Sequence, residues 1–160
     1  MNTHPVNRIV SGGQTGIDQL GLEVGRCLGI TTGGIAPKGY ITENGPDLRL
    51  RDYGLREHPL ATYPPRTRAN VKQSDGTVLL GVLAGGTKLT LTVCVEEGKP
   101  YCVNPTADQL RQWLVTNQIS VLNVAGSRGS KLSDEKKEHY RQVLLGALNQ
   151  LPILAADLPG

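Results

Sequence analysis

Residues Ser11-Gly12-Gly13-Gln14-Thr15-Gly16 constrain this chain more than any other stretch. They follow the β-favouring run Arg8-Ile9-Val10 and precede apolar residues at Ile17, Leu20, Val24 and Leu28, spaced as one face of a helix. A strand that turns through glycines into a helix N-terminus is a physical recipe for holding an anion. The glycines admit a close approach to the backbone, and the helix start presents free N–H groups and partial positive charge. Gly12, Gly13, Gln14, Thr15 and Gly16 are therefore expected to contact something phosphorylated.

The rest of the chain alternates short apolar runs with helix-length segments, which predicts an α/β fold with a mainly parallel sheet. Strands are expected at residues 8–11, 31–35, 77–83, 101–103 and 120–125. Helices are expected at 17–28, 66–74 and 106–116, and in a final segment opened by Asp134 with its stripe at Tyr140, Val143, Leu144, Ala147, Leu148 and Leu151. Thr106-Ala107-Asp108-Gln109 has the form of a capping box. Residues 88–97 alternate like a strand, yet a helix is the economical crossover between parallel strands. Residues 36–65 read as a long, Pro/Gly-rich loop with little periodicity. The chain is expected to form one domain over residues 1–160, with loose tails at 1–7 and 155–160.

Two further glycine turns repeat the opening pattern. Ala84-Gly85-Gly86-Thr87 follows the third strand, and Gly126-Ser127-Arg128-Gly129-Ser130-Lys131 follows the last. In an open parallel sheet such turns lie at the carboxyl ends of the strands, where ligands bind. Thr87, Thr90, Ser127 and Ser130 can add hydroxyl donors, and Arg128 and Lys131 can pair with a phosphate. Lys38, Arg66, Arg68 and Lys88 are further cations near the turns. Asp18 either complements the helix dipole or contacts ligand. Asn70 and Asp75 either line the same mouth or act as cap and turn residues, the latter favoured for Asp75-Gly76.

Composition removes several classes of function. A net charge of +3 without a polybasic block, and with Trp113 as the lone tryptophan and no phenylalanine, gives no nucleic-acid footprint. No apolar stretch approaches the ~20 residues of a membrane span, and Met1–Asn7 lack the core of a signal peptide, so a cytoplasmic location is expected. Cys27, Cys94 and Cys102 show no CxxC spacing, and Cys27 and Cys94 are expected to be buried reduced thiols. Neither GxGxxG nor GxxxxGK[ST] is present, which disfavours a conventional NAD enzyme or P-loop ATPase. His4, His58 and His139 are scattered, Glu96-Glu97 reads as a solvated pair, and neither a catalytic set nor a metal-ligand spacing emerges.

The motifs Ser11–Asp18, Pro37-Lys38-Gly39, Arg66–Asp75, Gly85-Gly86-Thr87 and Leu122–Arg128 together resemble the molybdenum cofactor carrier protein family over about residues 9–148. That family sits in a wider superfamily with the lonely-guy nucleotide phosphoribohydrolases. The resemblance implies a Rossmann-like three-layer sandwich, a homo-oligomer, in particular a tetramer, and molybdenum cofactor as cargo. The ligand is a pterin bearing a dithiolene-held molybdate and a phosphate. Molybdoenzymes or cofactor-synthesis proteins would be the protein partners, with neither nucleic acid nor membrane involved. The expected ligand set comprises the first-turn residues with Asp18, Lys38 and Asn70, then Gly85, Gly86, Thr87 and Thr90, and Gly126 to Lys131. Lonely-guy enzymes carry a catalytic glutamate soon after their Gly-Gly turn. Here Gly85-Gly86 is followed by Thr87-Lys88-Leu89-Thr90-Leu91-Thr92-Val93, with no acid before Glu96. A carrier without catalysis is the leading expectation. A phosphoribohydrolase of the lonely-guy type and a nucleotide or ADP-ribose sensor are its rivals.

Overall fold

The computed structural model describes residues 6–149. Strand β1 (Arg8–Val10) leads into helix α1 (Ile17–Cys27) and β2 (Thr31–Ala36). A small antiparallel hairpin follows, β3 (Ile41–Thr42) and β4 (Gly45–Pro46), then α2 (Arg49–Asp52) and β5 (Leu55–Glu57). The second half runs α3 (Tyr63–Gln73), β6 (Gly76–Leu80), α4 (Gly85–Glu96), β7 (Tyr101–Val103), α5 (Ala107–Thr116), β8 (Val121–Gly126) and α6 (Asp134–Leu148). Six strands form one parallel sheet in the order β5-β2-β1-β8-β6-β7. Helices α1, α5 and α6 pack together on one face and α3 with α4 on the other, giving the three layers of a Rossmann-like sandwich.

The α1/α5/α6 face holds the main core. Ile9, Ile17, Leu20, Leu110, Leu114, Leu122, Val124 and Leu144 are fully buried there. Each such side chain contributes about 1.5–3 kcal/mol relative to exposure. The opposite face carries a thinner cluster of Val71, Val93 and Cys94. Polar groups are buried beside it, with Asn123 Nδ2 donating to Thr77 Oγ1 at 3.2 Å. The parallel sheet therefore reads as expected, and residues 88–96 belong to the crossover helix α4 rather than to a strand, with Glu97 at its C-terminal cap. The capping box at Thr106 forms in both directions.

Several expectations need correction. The supposed loop 36–65 supplies β5, an edge strand of the main sheet, and Tyr40, Leu50 and Leu55 build a second apolar cluster with Leu22 and Ala36. Helix α3 begins at Tyr63 rather than at Arg66, because Pro64 and Pro65 fit the first turn, where a missing N–H leaves no bond unmade. The strand expected to reach Leu83 stops at Leu80, leaving Val82 73% exposed in the turn. Ser133 caps α6 by accepting from Lys136 N at 3.1 Å, while Asp134 only charges its first turn. Cys27 is exposed at the end of α1, whereas Cys94 is buried and its thiol pKa is pushed up by that burial. Val6 is buried in the core and Asn7 N donates to Ser120 O at 2.9 Å, so the expected loose tail is held here. The tail at 155–160 and Leu151 lie outside the described residues.

Candidate functional site

The three glycine turns leave the carboxyl ends of β1, β6 and β8, three adjacent strands at the middle of the sheet. From β1 the chain moves one way through α1 to β2. From β6 it moves the other way through α4 to β7. Strand order reverses here, and an open α/β sheet leaves a crevice at such a point. A cavity of about 580 Å³ fills it. This is large enough for a nucleotide- or pterin-sized ligand.

The turns are built against one another. Gly16 has φ +84°, and a Cβ there would lie 2.3 Å from Ser127 O. Only glycine allows both the left-handed backbone and this contact. Ile17 N donates to Ser127 O at 3.0 Å, and Gly129 N donates to Thr15 Oγ1 at 3.0 Å. Ser127 Oγ in turn accepts from Val82 N at 3.1 Å, which ties the third turn to the second. The first and second turns thus meet through the third.

Ten of the expected ligand residues line the cavity: Gln14, Asp18, Gly85, Gly86, Thr87, Thr90, Gly126, Ser127, Arg128 and Lys131. Tyr63, Arg66, Thr67, Val82, Leu89 and Ala125 join them. The lining thus carries three cations, Arg66, Arg128 and Lys131, one carboxylate, Asp18, and the apolar residues Tyr63, Val82, Leu89 and Ala125. The open backbone at Gly85 and Gly86, where an added Cβ would touch nothing, begins the 12-residue helix α4.

The other expected residues are used elsewhere. Gly12 makes room for Arg66, whose Nη1 would lie 1.8 Å from a Cβ at that position. Gly13 packs on Leu50 and Leu55. Asn70 forms a two-way pair with the backbone of Ile35, accepting from its N–H at 2.8 Å and donating to its carbonyl at 2.9 Å. That pins α3 to β2 and consumes the amide. Lys38 is exposed in a 3₁₀ turn away from the cavity lining. Asp75 accepts from Ser120 N and Val121 N at 3.0 and 2.8 Å, at the amino end of β6 and β8 and so opposite the mouth. Arg68 holds Glu96 and Glu97 at 2.6 and 2.8 Å, so that acidic pair is tied rather than freely solvated.

Thr15, Gly129 and Ser130 form a clasp with Glu43 from the β3–β4 hairpin. The Glu43 carboxylate accepts from Thr15 Oγ1, from Ser130 N at 3.0 Å and from Ser130 Oγ at 2.6 Å. Those hydrogen bonds, first that from Ser130 Oγ, hold its carboxyl pKa below the usual value, with the Arg128 charge a smaller contribution. The donors that the third turn offers at Ser130 are thus already occupied by an internal anion. Gln14 Oε1 completes the clasp by accepting from Thr15 N at 3.1 Å and Glu43 N at 2.8 Å.

At the most buried end, Asp18 Oδ2 accepts from Gln14 N at 3.1 Å and lies 3.6 Å from Arg66 Nη1. Burial raises the Asp18 pKa above the usual carboxylate value, against the opposing pull of Arg66 and the backbone N–H groups of Gln14 and Gly12. Arg66 sits over the Tyr63 ring, 5.3 Å from its centre. Sequence reasoning noted Arg66 as a nearby cation but did not place it in the ligand set. The signal was Gly12, whose missing side chain leaves the space that an arginine fills.

The family model described as the circularly permutated YpsA SLOG family matches residues 9–146. A crystal structure from Syntrophus aciditrophicus SB, of a protein named "Putative molybdenum carrier protein", superposes with a TM-score of 0.80 at 32% identity. The match covers 91% of this chain and 96% of that one. No curated protein matches the chain.

Proposed function

The chain belongs to the circularly permutated YpsA SLOG family, and on that premise we propose that it carries molybdenum cofactor in the cavity between its three glycine turns. The observation that supports this most is the chemistry of the lining. An apolar strip of Tyr63, Val82, Leu89 and Ala125 suits the flat ring system, and Arg66, Arg128 and Lys131 suit the anionic groups. The name of the Syntrophus relative points the same way. Ser127 to Lys131, Gly85 to Thr90 and Gln14 to Asp18 are the residues proposed to hold the ligand.

A carrier must shield its cargo without reacting with it, and the lining is suited to that. Asp18 is its single carboxylate, and it is engaged by backbone N–H groups. Glu96, the acid nearest in sequence to the second turn on α4, sits eleven residues after Gly85. That is about 16 Å along a helix from the mouth, too far for a phosphoribohydrolase glutamate. The protein is proposed to act in the cytoplasm, as a homotetramer, delivering cofactor to molybdoenzymes. Among the described residues no helix is long and apolar enough to cross a membrane.

The test is protection. Isolated molybdenum cofactor is exposed to air with and without the protein, and the fraction able to activate an apo-molybdoenzyme is followed over time. The proposal predicts that cofactor held by the protein survives at least several-fold longer and is still transferred. An unchanged lifetime contradicts it.

A further inference from the structure

Two buried donor atoms on residues that line the cavity have no hydrogen-bond partner among the described residues: Gln14 Nε2 and Arg66 Nε. A buried polar group left unpaired is costly, so native proteins rarely keep one without a use. Gln14 is 6% exposed, and its other amide atom is committed to Thr15 N and Glu43 N. The side chain is therefore fixed, and its NH₂ cannot turn away to find water. Arg66 is less tightly held. Its side chain is 12% exposed, Asp18 lies 3.6 Å from one end, and Gly12 leaves the space that the guanidinium occupies.

These groups share one neighbourhood, because Asp18 Oδ2 bonds Gln14 N and pairs with Arg66. Both unmet groups are donors. One belongs to a guanidinium, whose fork matches two oxygens of one anion. A neutral carbonyl would satisfy one of them. A tetrahedral oxyanion presents oxygens in several directions and can satisfy both. The remaining cations sit further out, Arg128 half-buried and Lys131 exposed. The third turn's donors at Ser130 are filled by Glu43, which removes the most obvious competing anion site.

We propose that Gln14 and Arg66 form a recognition pair for one tetrahedral oxyanion, of the molybdate or phosphate class, at the inner end of the cavity. Arg128 and Lys131 serve a separate, outer end. Asp18 is a positioning residue that holds Arg66. The proposal rests on the carrier reading in taking this cavity as the ligand site, but it concerns the free oxyanion and not the whole cargo.

The experiment is calorimetric titration of the full chain with sodium molybdate alone and, separately, with inorganic phosphate alone. Wild type, Gln14→Glu, Arg66→Lys and Lys72→Ala are compared, each checked for an unchanged melting profile; Lys72 is an exposed cation of α3 outside the cavity lining. Gln14→Glu keeps the oxygen that Thr15 N and Glu43 N require, and turns the unmet donor into a charged acceptor. Arg66→Lys keeps the charge and removes Nε and the fork. We expect wild type to bind at least one oxyanion, each inner substitution to weaken it tenfold or more, and Lys72→Ala to change it less than threefold. The arm that binds more tightly identifies whether molybdate or phosphate occupies the inner end. Failure of wild type to bind either anion at about 10 mM, or wild-type affinity in both inner variants, overturns the proposal. Cofactor protection that persists while the inner variants bind oxyanion normally sinks this subsite and leaves the carrier reading standing. Gln14-dependent oxyanion binding without cofactor protection does the reverse.

Discussion

Gly12 and Asp18 decide how Arg66 is held. A methyl group at Gly12 would meet Arg66 Nη1 at 1.8 Å, but the obstacle is the end of a flexible side chain and not backbone. Gly12→Ala is therefore expected to displace the guanidinium and leave the fold standing. Oxyanion affinity should fall tenfold or more while the melting temperature shifts by only about a few degrees. Titration beside thermal unfolding checks this. Asp18 makes a pH-dependent contribution. Burial raises its pKa in the folded state, so the folded protein holds the proton more firmly than the unfolded chain does. Asp18 accordingly favours folding in acid, and that contribution is lost as pH rises from 3.8 through the raised folded value. Asp18→Asn removes this dependence. Urea unfolding of the two proteins from about pH 3 to about pH 7 should show the wild type losing stability relative to the variant as pH rises. Parallel curves would contradict the assignment.

At the scale of elements, the β3–β4 hairpin matters most, since it carries Glu43 across to the third glycine turn. Its sign is opposite to that of Asp18. Glu43 has a lowered folded pKa, so its contribution is present above 4.5 and is lost as pH falls through the folded value. Glu43→Gln should cost about 1 kcal/mol near neutral pH, because the accepting group is charged but only half-buried. Amide exchange should quicken at residues 41–46 and at Ser130, as read by hydrogen–deuterium exchange mass spectrometry. Unchanged exchange there would mean the clasp holds nothing. This element was also the least legible in the sequence. Strands of two or three residues carry no period, so β3, β4 and β5 merged into one apparent loop. The glycine turns were legible because strand, turn and helix signals coincide at each of them. Arg66 was not placed because Pro64-Pro65 read as a break before α3, when they are in fact its first turn. Glu43 could not be found at all. Its partners lie 28 and 87 residues away in the chain, and no local pattern couples them.

For the whole molecule, assembly and cargo are each open to measurement. Val95 and Tyr101, outside the cavity lining, are 61% and 42% exposed, apolar surface of the kind that self-association covers. Light scattering after size exclusion should give four times the chain mass of 17.1 kDa if the tetramer implied by the sequence resemblance forms. A value at one chain would remove it. The cargo claim is the central one, and native mass spectrometry after anaerobic titration with intact molybdenum cofactor tests it most directly. One cofactor mass should be added per chain, and that mass should be lost in the Gln14→Glu and Arg66→Lys proteins. A spectrum of unliganded wild-type protein under saturating cofactor, or of a nucleotide bound in its place, would contradict it.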